Sequence, residues 1–560
     1  MIRHPAFPVE PWAVRECGFH PSLLGQCESV FALANGHLGL RGNLDEGEPR
    51  AISGTYLAGF YESYPLAYGE RGYGFPEDGQ AVVNVTDGKI IRLLVEDEPL
   101  DVHRGRLDHH ERVLDLRAGM LTRDLRWRSA YGSAVRVRSE RLVSFPDRSV
   151  AAIRYEVEAL ERPLRVTLQS NLVANERERD QPTRDPRRGR SLERPLEPQL
   201  AIADSDLRVV LAHTTRVSRL SLAAGMDHVL SASDHIQGRM QHEPDLGRAT
   251  FSTTLHPGEP LRLVKLLAYH WSGVQSPEWL RDQVDASLEN ALAQGFDGLA
   301  RAQREFLDAF WADADVQLEG DPELQQALRF GLFHLIQASA RAEGRAIAAK
   351  GLTGPGYDGH AFWDTETFVL PVLTFLRPSI VRDALGWRHS ILPQARERAA
   401  QMNLRGATLP WRTIHGEECS GYWPAGMAAM HVNADVAAQV RRYMDAVEDP
   451  LFVREIGAEL LTETARLWMS LGHRDDAGRF RIDGVTGPDE YSALVDNNVY
   501  TNLMAQANLV TAARCLAEHE DVAIELGVSR QEIHAWREAA EAMYVPYDEA
   551  RGLHPQDQDF

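Results

Sequence analysis

The stretch Asp321-Pro322-Glu323-Leu324 marks the point at which the chain becomes helical. Asp321 suits the N-cap, Pro322 the first helical position, and Glu323 the first turn, where an acid is favoured. From there apolar residues recur with the helical period, which predicts eight helices, over 321–341, 362–376, 378–391, 392–402, 431–445, 450–472, 497–517 and 528–543. The second half of the chain therefore reads as a helical barrel whose long connections gather over one end.

Up to about residue 270 the pattern is that of β-strands. Segments 125–128 and 134–138 alternate polar and apolar residues around a Tyr-Gly-Ser turn, and 154–158 and 164–168 do the same. Many short alternating strands with Gly, Pro and Asp turns predict a β-sandwich. The polar run 175–198 interrupts this pattern and reads as a solvated excursion.

Residues 278–313 have the helical period again and read as a linker. The predicted organisation is an N-terminal β-sandwich domain over 1–272, a helical linker over 273–318 and a catalytic helical barrel over 319–560.

Composition excludes several classes of function. The chain has 560 residues, enough for two or three domains, with 44% hydrophobic and 25% charged residues. Its formal net charge of -21 argues against nucleic acid and anionic membranes as partners. The N-terminus lacks an apolar run of signal-peptide length, and the longest such run, 368–376, is too short to span a bilayer. The four cysteines form no CxxC or zinc spacing, so we expect a cytoplasmic enzyme without a disulfide framework.

The stretch Thr486-Gly-Pro-Asp489-Glu490 places two carboxylates in a turn just before a predicted helix. A carboxyl group on a short rigid loop at the mouth of a helical domain is well placed to donate a proton. The alternative is that Glu490 is only a capping carboxylate, because the start of a helix favours an acid. The residues by themselves leave both interpretations open.

A second cluster, Phe362-Trp363-Asp364-Thr365-Glu366, lies upstream. An indole beside a carboxylate offers a sugar ring a face to stack on and an acceptor for its hydroxyls. The competing interpretation is a buried Trp363 on an amphipathic helix, with Asp364 as its N-cap. The glycine-rich approach from Gly351 favours the binding interpretation, because glycines let the backbone come close to a ligand.

A third loop holds Pro410-Trp411-Arg412 and then His415-Gly-Glu417-Glu418. It reads either as a surface loop packed on its own indole or as another wall of a sugar pocket, with Trp411 as platform and Glu417 as acceptor. His415 and the two acids lack the helical HExxH spacing, so no metal site is predicted. Together the three clusters indicate chemistry on a carbohydrate.

At these motifs the chain resembles glycoside hydrolase family 65, the inverting disaccharide phosphorylases that act on maltose, trehalose, kojibiose and related α-glucosides. The similar pieces follow one another in the order of the family and span essentially the whole chain: Asn35-Gly-His-Leu-Gly-Leu-Arg-Gly42, His360-Ala-Phe-Trp-Asp-Thr-Glu366, Gly406-Ala-Thr-Leu-Pro-Trp411 and Gly487-Pro-Asp-Glu-Tyr491.

The resemblance implies a β-sandwich, a helical linker and an (α/α)6 barrel. It makes Glu490 the proton donor to the glycosidic oxygen and Trp363 and Asp364 ligands of the glucosyl unit, and it places Trp411 and Glu417 in a loop that lines the pocket. Inorganic phosphate would be the co-substrate and attack directly, so that one carboxyl suffices and the product is β-glucose 1-phosphate. No metal or other cofactor is implied, and the full-length form would be a homodimer.

The family continues beyond the equivalent of Phe560, with residues that contact the sugar and hold phosphate. Eight predicted helices also fall short of the twelve in a closed six-hairpin barrel. We therefore expect a truncated, incomplete barrel with exposed apolar surface and little or no phosphorolytic activity by itself. Two alternatives stay open, an inverting α-glucosidase of the same fold and a non-catalytic sugar-binding remnant, and the sequence does not identify the linkage that is cut.

Overall fold

The first part of the chain, in which polar and apolar residues alternate, forms antiparallel sheets. The computed structural model describes residues 4–176, 189–190, 192–203, 207–489 and 493–560. Most of the predicted excursion 175–198, and Glu490 itself, lie outside the described residues. In β13 (Val150–Ala159) the side chains of Tyr155, Val157 and Ala159 are buried while the charged residues between them are partly exposed, which is the period-two pattern expected of a strand with one buried face.

The strands and their bounds are as follows: β1 Val9–Glu10, β2 Ala13–Cys17, β3 Leu33–Ala34, β4 Leu38–Leu40, β5 Thr55–Leu57, β6 Tyr61–Pro65, β7 Asp78–Val82, β8 Ile91–Val95, β9 Glu98–Pro99, β10 Arg106–Asp115, β11 Met120–Arg128, β12 Ala134–Val143, β13 Val150–Ala159, β14 Leu164–Val173, β15 Leu196–Ala203, β16 Val209–Thr215, β17 Ser221–Ser231, β18 Gln237–Glu243, β19 Leu246–Leu255, β20 Leu261–Ser272, β21 His473–Arg474 and β22 Phe480–Arg481.

The two large sheets form the predicted sandwich. One has ten strands in the order β1-β2-β10-β11-β12-β13-β20-β17-β16-β15, and the other has five in the order β18-β19-β14-β8-β9. Neighbouring strands pair antiparallel, for example Tyr155 with Leu263 and Leu168 with Phe251. The four strands expected from the sequence are β11 to β14.

The helices and their bounds are as follows: α1 Leu24–Val30, α2 Pro277–Ala314, α3 Pro322–Ser339, α4 Leu370–Leu376, α5 Pro378–Ser390, α6 Leu392–Gln401, α7 Trp423–Ala428, α8 His431–Ala446, α9 Pro450–Phe452, α10 Ala458–Leu471, α11 Val499–Glu518, α12 Glu520–Glu525 and α13 Arg530–Glu541. Single turns of π-helix at Thr365–Val369 and Val453–Gly457 lead into α4 and α10.

The helix expected as a linker packs on the large sheet. Leu280, Val284 and Leu288 of α2 are buried in one cluster with Ala223 of β17 and Leu266 of β20. The long helix is therefore a third layer on the sandwich as well as a connection, and it is interrupted at Gly295, whose φ is 67°.

Every one of the eight predicted helical segments contains a helix, and the barrel-type helical architecture is confirmed. The Asp321 side chain caps α3 by accepting a hydrogen bond from the Leu324 amide at 2.9 Å, as its sequence predicts. The short helices α7 and α12 were not predicted, since six residues are too few to display a period.

The chain divides into two compact units whose limits differ from the predicted domain boundaries. The first unit comprises 1–62, 81–341 and 350–359, and the second comprises 63–80, 342–349 and 360–560. Helix α3 belongs to the first unit because its buried polar side chains bond to the N-terminal strands. Gln326 Nε2 donates to the Ala13 carbonyl at 2.6 Å, and Gln337 Oε1 accepts from the Ala34 amide at 2.7 Å.

Helices α4 and α11 expose large apolar side chains. Phe375 of α4 is 74% exposed, Phe368 of the π-helical turn before α4 is 61% exposed, and Leu503 and Val510 are exposed on α11. The expected truncation of the barrel stays a prediction.

The four cysteines, Cys17, Cys27, Cys419 and Cys515, are free. Among the described residues no helix combines the length and the apolarity that crossing a membrane requires.

Two glycines with positive φ provide a test of the loop that precedes Trp411. A Cβ on Gly406 (φ 78°) would lie 2.2 Å from the Glu463 carbonyl oxygen, whereas one on Gly344 (φ 72°) would meet nothing within 4 Å. We expect Gly344→Ala to lower the free energy of unfolding by about 1–2 kcal/mol through backbone strain alone. Gly406→Ala adds overpacking and should lower it by about 3–5 kcal/mol.

Urea unfolding followed by tryptophan fluorescence measures both variants against the parent. Equal losses for the two alanines would contradict the close approach of the Gly406 loop to α10.

Candidate functional site

The site in the second unit is assembled where two loops pair. Ala361 and Thr413 form an antiparallel bridge, with amide-to-carbonyl distances of 2.9 and 3.2 Å. Beside it the buried His360 ring contacts the Gln80 carbonyl and accepts from the Arg412 guanidinium, and burial holds the pKa of His360 well below its ordinary value. The bridge brings the loop of Trp363 next to the loop of Trp411.

Trp363 and Trp411 surround a common centre. The rings of Trp363 and His431 lie 4.9 Å apart at 84°, and those of Trp411 and His431 lie 5.8 Å apart at 84°. Tyr500 joins the group, with its ring 6.3 Å from that of Trp363 and 5.8 Å from that of His431. The structure thus brings two sequence-predicted indoles together with a histidine and a tyrosine that the sequence reasoning missed.

Asp364 is placed for contact with a ligand rather than for capping. It occupies the N-cap position of the π-helical turn that follows, but its side chain makes no capping hydrogen bond there. The residue is exposed, yet desolvation by the surrounding protein raises the pKa of its carboxyl above the ordinary value, an effect that its own backbone amide partly opposes. An accessible carboxylate in partly desolvated surroundings is suited to accept hydrogen bonds from sugar hydroxyls.

The buried pair Glu366–Arg388 supports this loop from below. Arg388 donates from Nε and Nη2 to the two carboxylate oxygens of Glu366 at 2.7 and 2.9 Å, and Nη2 also lies 3.3 Å from the Phe362 carbonyl. Both side chains are almost fully buried. Because a bidentate pair of this kind has a fixed geometry, it holds the turn that carries Trp363.

Trp411 is fixed through its backbone as well as its ring. Its amide donates to Glu418 Oε2 at 2.5 Å, and the Ser420 amide donates to Glu418 Oε1 at 2.8 Å. Two residues earlier, the Leu409 amide donates to Asn433 Oδ1 at 2.8 Å. One carboxylate and one amide therefore hold both ends of the loop.

Glu417 lies in a neighbouring cavity. Its Oε2 accepts from Gln80 Nε2 at 2.7 Å, and its Oε1 lies 3.3 Å from His415 Nδ1. Partial burial acts to raise the pKa of Glu417, but the bonds from His415 and the backbone lower it overall. The cavity has a volume of about 450 Å³ and is lined by the loop Tyr73 to Asp78, by Gln394, Glu397, Arg398 and Gln401 of α6 and by Glu417 and Glu418.

Glu490 lies outside the described residues, so its role as proton donor stays a prediction. The described ends of its segment are anchored: Val485 and Val495 exchange backbone hydrogen bonds at 3.0 and 2.9 Å, and the Thr486 amide donates to the Ala428 carbonyl at 2.9 Å. Asn498 then caps the start of α11 by accepting from the Thr501 amide at 3.0 Å, and Tyr500 lies in the first turn of this helix.

The missed residues differ in how well the sequence announces them. His431 and Asp435 stand four apart at the start of a predicted helix, a spacing that places them on one face and could have been noticed. Gln80 lies more than three hundred residues before the loop that it clamps, and no local signal marks it.

Comparison with known proteins covers the whole chain. Residues 14–310 match the profile of the glycosyl hydrolase family 65 N-terminal domain, and residues 329–560 match that of the glycosyl hydrolase family 65 central catalytic domain.

Relatives and a solved structure point the same way. An uncharacterized glycosyl hydrolase of Mycobacterium tuberculosis is 56% identical over 560 residues, covering 100% of this chain and 71% of that protein. The alpha,alpha-trehalose phosphorylase of Thermoanaerobacter brockii is 37% identical over 572 residues, covering 100% and 74%. A solved protein of the human microbiome, named provisionally as a kojibiose phosphorylase, superposes with a TM-score of 0.90 at 25% identity, covering 99% of this chain and 72% of that one.

The carboxyl of Glu418 makes the stability of this site depend on pH. Burial raises the pKa of Glu418 from 4.5 to about 7, so the folded state binds a proton that the unfolded state releases between these two values. The stabilisation is fully present below pH 4.5 and is lost as the pH rises through about 7. As the pH rises through that window, ionisation of Glu418 should lower the free energy of unfolding of the parent by up to about 3 kcal/mol. Glu418→Gln does not ionise and should not show this loss.

Urea denaturation of both proteins at pH 5, 6, 7 and 8 measures the difference between their unfolding free energies. A difference that stays constant across the four values would show that Glu418 does not titrate in this range.

Proposed function

The chain belongs to glycosyl hydrolase family 65, and we propose that this enzyme cleaves an α-glucosidic bond of a disaccharide by phosphorolysis with inversion. Its products are then β-glucose 1-phosphate and a free sugar, with inorganic phosphate as the co-substrate and without a metal. Trehalose, maltose and kojibiose are the candidate substrates, because phosphorylases of all three are among the relatives.

One observation carries the proposal: an accessible, partly desolvated Asp364 stands next to Trp363, whose ring belongs to the cluster around His431. The indole offers an apolar face to the glucosyl ring and the carboxylate accepts from its hydroxyls. In the proposed reaction the carboxyl of Glu490 protonates the glycosidic oxygen while phosphate attacks the opposite face of the anomeric carbon. Because phosphate is itself the nucleophile, no second carboxylate has to activate water.

The cavity beside Glu417 suits the leaving sugar. Glu418, which lines this cavity, also binds the Trp411 amide, so the cavity and the loop of Trp411 share a residue. Its volume of about 450 Å³ is within the range of small-molecule sites. The exposed Tyr73 ring and the carboxylates of Glu397 and Glu417 offer a stacking face and hydroxyl acceptors.

The reaction is tested with the three disaccharides, each with and without saturating phosphate. Phosphorus NMR should show β-glucose 1-phosphate only when phosphate is present. Product is followed over hours, so that slow turnover is also detected. Glu490→Gln should lower turnover by about 10² to 10⁴ because the proton donor is lost, whereas Asp489→Asn, its neighbour, should leave it near the parent value.

Three outcomes would contradict the proposal in different ways. Glucose release that ignores phosphate would make the chain a hydrolase, and equal conversion by the parent and Glu490→Gln would refute the proton donor. Calorimetric binding of a disaccharide without any product would make it a sugar-binding protein.

The leaving-sugar cavity is tested by comparing a monosaccharide with a disaccharide. Tyr73→Ala should weaken binding of the disaccharide about tenfold through loss of the stacking face, and should leave glucose binding unchanged. Tyr131→Ala, at another largely exposed tyrosine in the first unit (88% against 76% for Tyr73), is the matched control and should alter neither affinity. Equal weakening of both sugars by Tyr73→Ala would place the glucosyl unit, rather than the leaving sugar, in this cavity.

A further inference from the structure

His431 is a fully buried histidine at the centre of the aromatic cluster. Its imidazole stands nearly perpendicular to both indoles, at 84° in each case, and at 78° to the Tyr500 ring. It is therefore the one ring that contacts both Trp363 and Trp411 among the ring contacts of the described residues.

A buried carboxylate fixes the orientation of this imidazole. His431 Nδ1 lies 2.8 Å from Asp435 Oδ2, one helical turn along α8, and Asp435 Oδ1 accepts from the Tyr500 hydroxyl at 2.7 Å. Burial raises the pKa of Tyr500, so this hydroxyl stays protonated and donates. One carboxylate thus holds two of the rings that pack against Trp363.

The other ring nitrogen is not used for a core hydrogen bond. His431 Nε2 is buried and has no hydrogen-bond partner among the described residues. By contrast, both nitrogens of the buried His228 are bonded, to the Leu207 carbonyl and the Ser170 hydroxyl at 2.8 Å each. An unsatisfied buried nitrogen costs free energy, and His213 Nδ1 and His334 Nε2 are in the same state, so what distinguishes His431 is its contact with both indoles.

We propose that His431, oriented by Asp435, is a positioning residue that sets the angle between the indoles of Trp363 and Trp411. This inference rests on the proposed function, in which the two indoles shape the subsite of the glucosyl unit. Aromatic rings interact with a sugar through their faces, so a rotated indole presents an edge where the face is needed. Misplacement of a binding group by about 1 Å can cost a factor of about 10² in rate.

The first experiment needs no ligand and therefore decides the inference even if the proposed function fails. The protein is labelled with 5-fluorotryptophan, and the fluorine resonances are assigned with Trp363→Phe and Trp411→Phe. In His431→Phe and Asp435→Ala we expect the resonances of these two indoles to broaden or split while the other indole signals stay unchanged. Two sharp single resonances in both variants would overturn the inference.

The choice of variants separates positioning from general destabilisation. Asp435→Asn keeps an acceptor for His431 and places an amide group against the Tyr500 hydroxyl, so it should preserve the sharp resonances that Asp435→Ala loses. His228→Phe, which replaces a buried histidine packed against Phe251 in the first unit, should leave the two indole signals as in the parent. Broadening by His228→Phe to the same degree would mean that any lost buried histidine has this effect, which also refutes the inference.

The second experiment uses glucose and trehalose as calorimetric ligands of the folded variants. His431→Phe and Asp435→Ala should bind glucose about tenfold to a hundredfold more weakly than the parent, and Asp435→Asn should recover most of the affinity. If the parent binds neither sugar, the proposed function fails while the fluorine spectra still decide the role of His431. If the parent binds glucose and His431→Phe binds it equally well, the proposed function survives and the positioning role does not.

Discussion

The carboxylate of Asp435 is the contact on which the geometry of the site depends. It accepts hydrogen bonds from His431 and from Tyr500. Because Tyr500 lies 65 residues after Asp435 along the chain, these bonds tie α8 to α11. His431 in turn packs between two indoles that come from separate loops. Each of these loops is too long to hold its shape by local interactions. The buried carboxylate of Asp435 therefore determines where their indoles lie.

Two other carboxyl groups, those of Glu366 and Glu418, also hold loops in place, and their burial distinguishes them from the exposed carboxyl of Asp364. Glu366 holds the turn of Trp363 through Arg388, and Glu418 holds the loop of Trp411 through two backbone amides. A buried carboxylate is costly unless it is paired or hydrogen-bonded, and each of these is. Asp364 is exposed instead, and its side chain makes no capping bond.

The sequence was sufficient to predict helices and strands, which have a regular period. It was insufficient to predict which side chains come together from distant parts of the chain. The eight helical segments and strands β11 to β14 follow from periodicity, because each pattern is local and long enough to detect. Trp363, Asp364 and Trp411 stood out as residues of unusual type in long loops, and the resemblance added their order. Asp364 takes the N-cap position that its sequence suggests, but the turn after it is π-helical and its side chain makes no capping bond.

The residues that the sequence could not reveal act over long separations. Gln80 accepts from the amides of Ile414 and His415 through Oε1 and donates to Glu417 through Nε2, and this depends on the segment 63–80 belonging to the helical unit. The units to which α3 and the segment 63–80 belong likewise differ from an organisation in which domains follow one another along the chain. Side-chain hydrogen bonds determine both placements, and such bonds leave no periodic pattern in the sequence.

One short loop separates the two regions that the proposed reaction requires. Trp411 at its start faces the aromatic cluster, whereas Glu417 near its end lines the neighbouring cavity with Tyr73. Glu418 lies between them. It is largely buried, and its carboxylate is bonded to the Trp411 amide. If a disaccharide lies across this loop, its glucosyl half contacts the indoles and its leaving half enters the cavity. The glycosidic bond then lies at the loop itself, so a proton donor has to reach it, and Glu490, which the resemblance assigns to this role, stays the predicted donor.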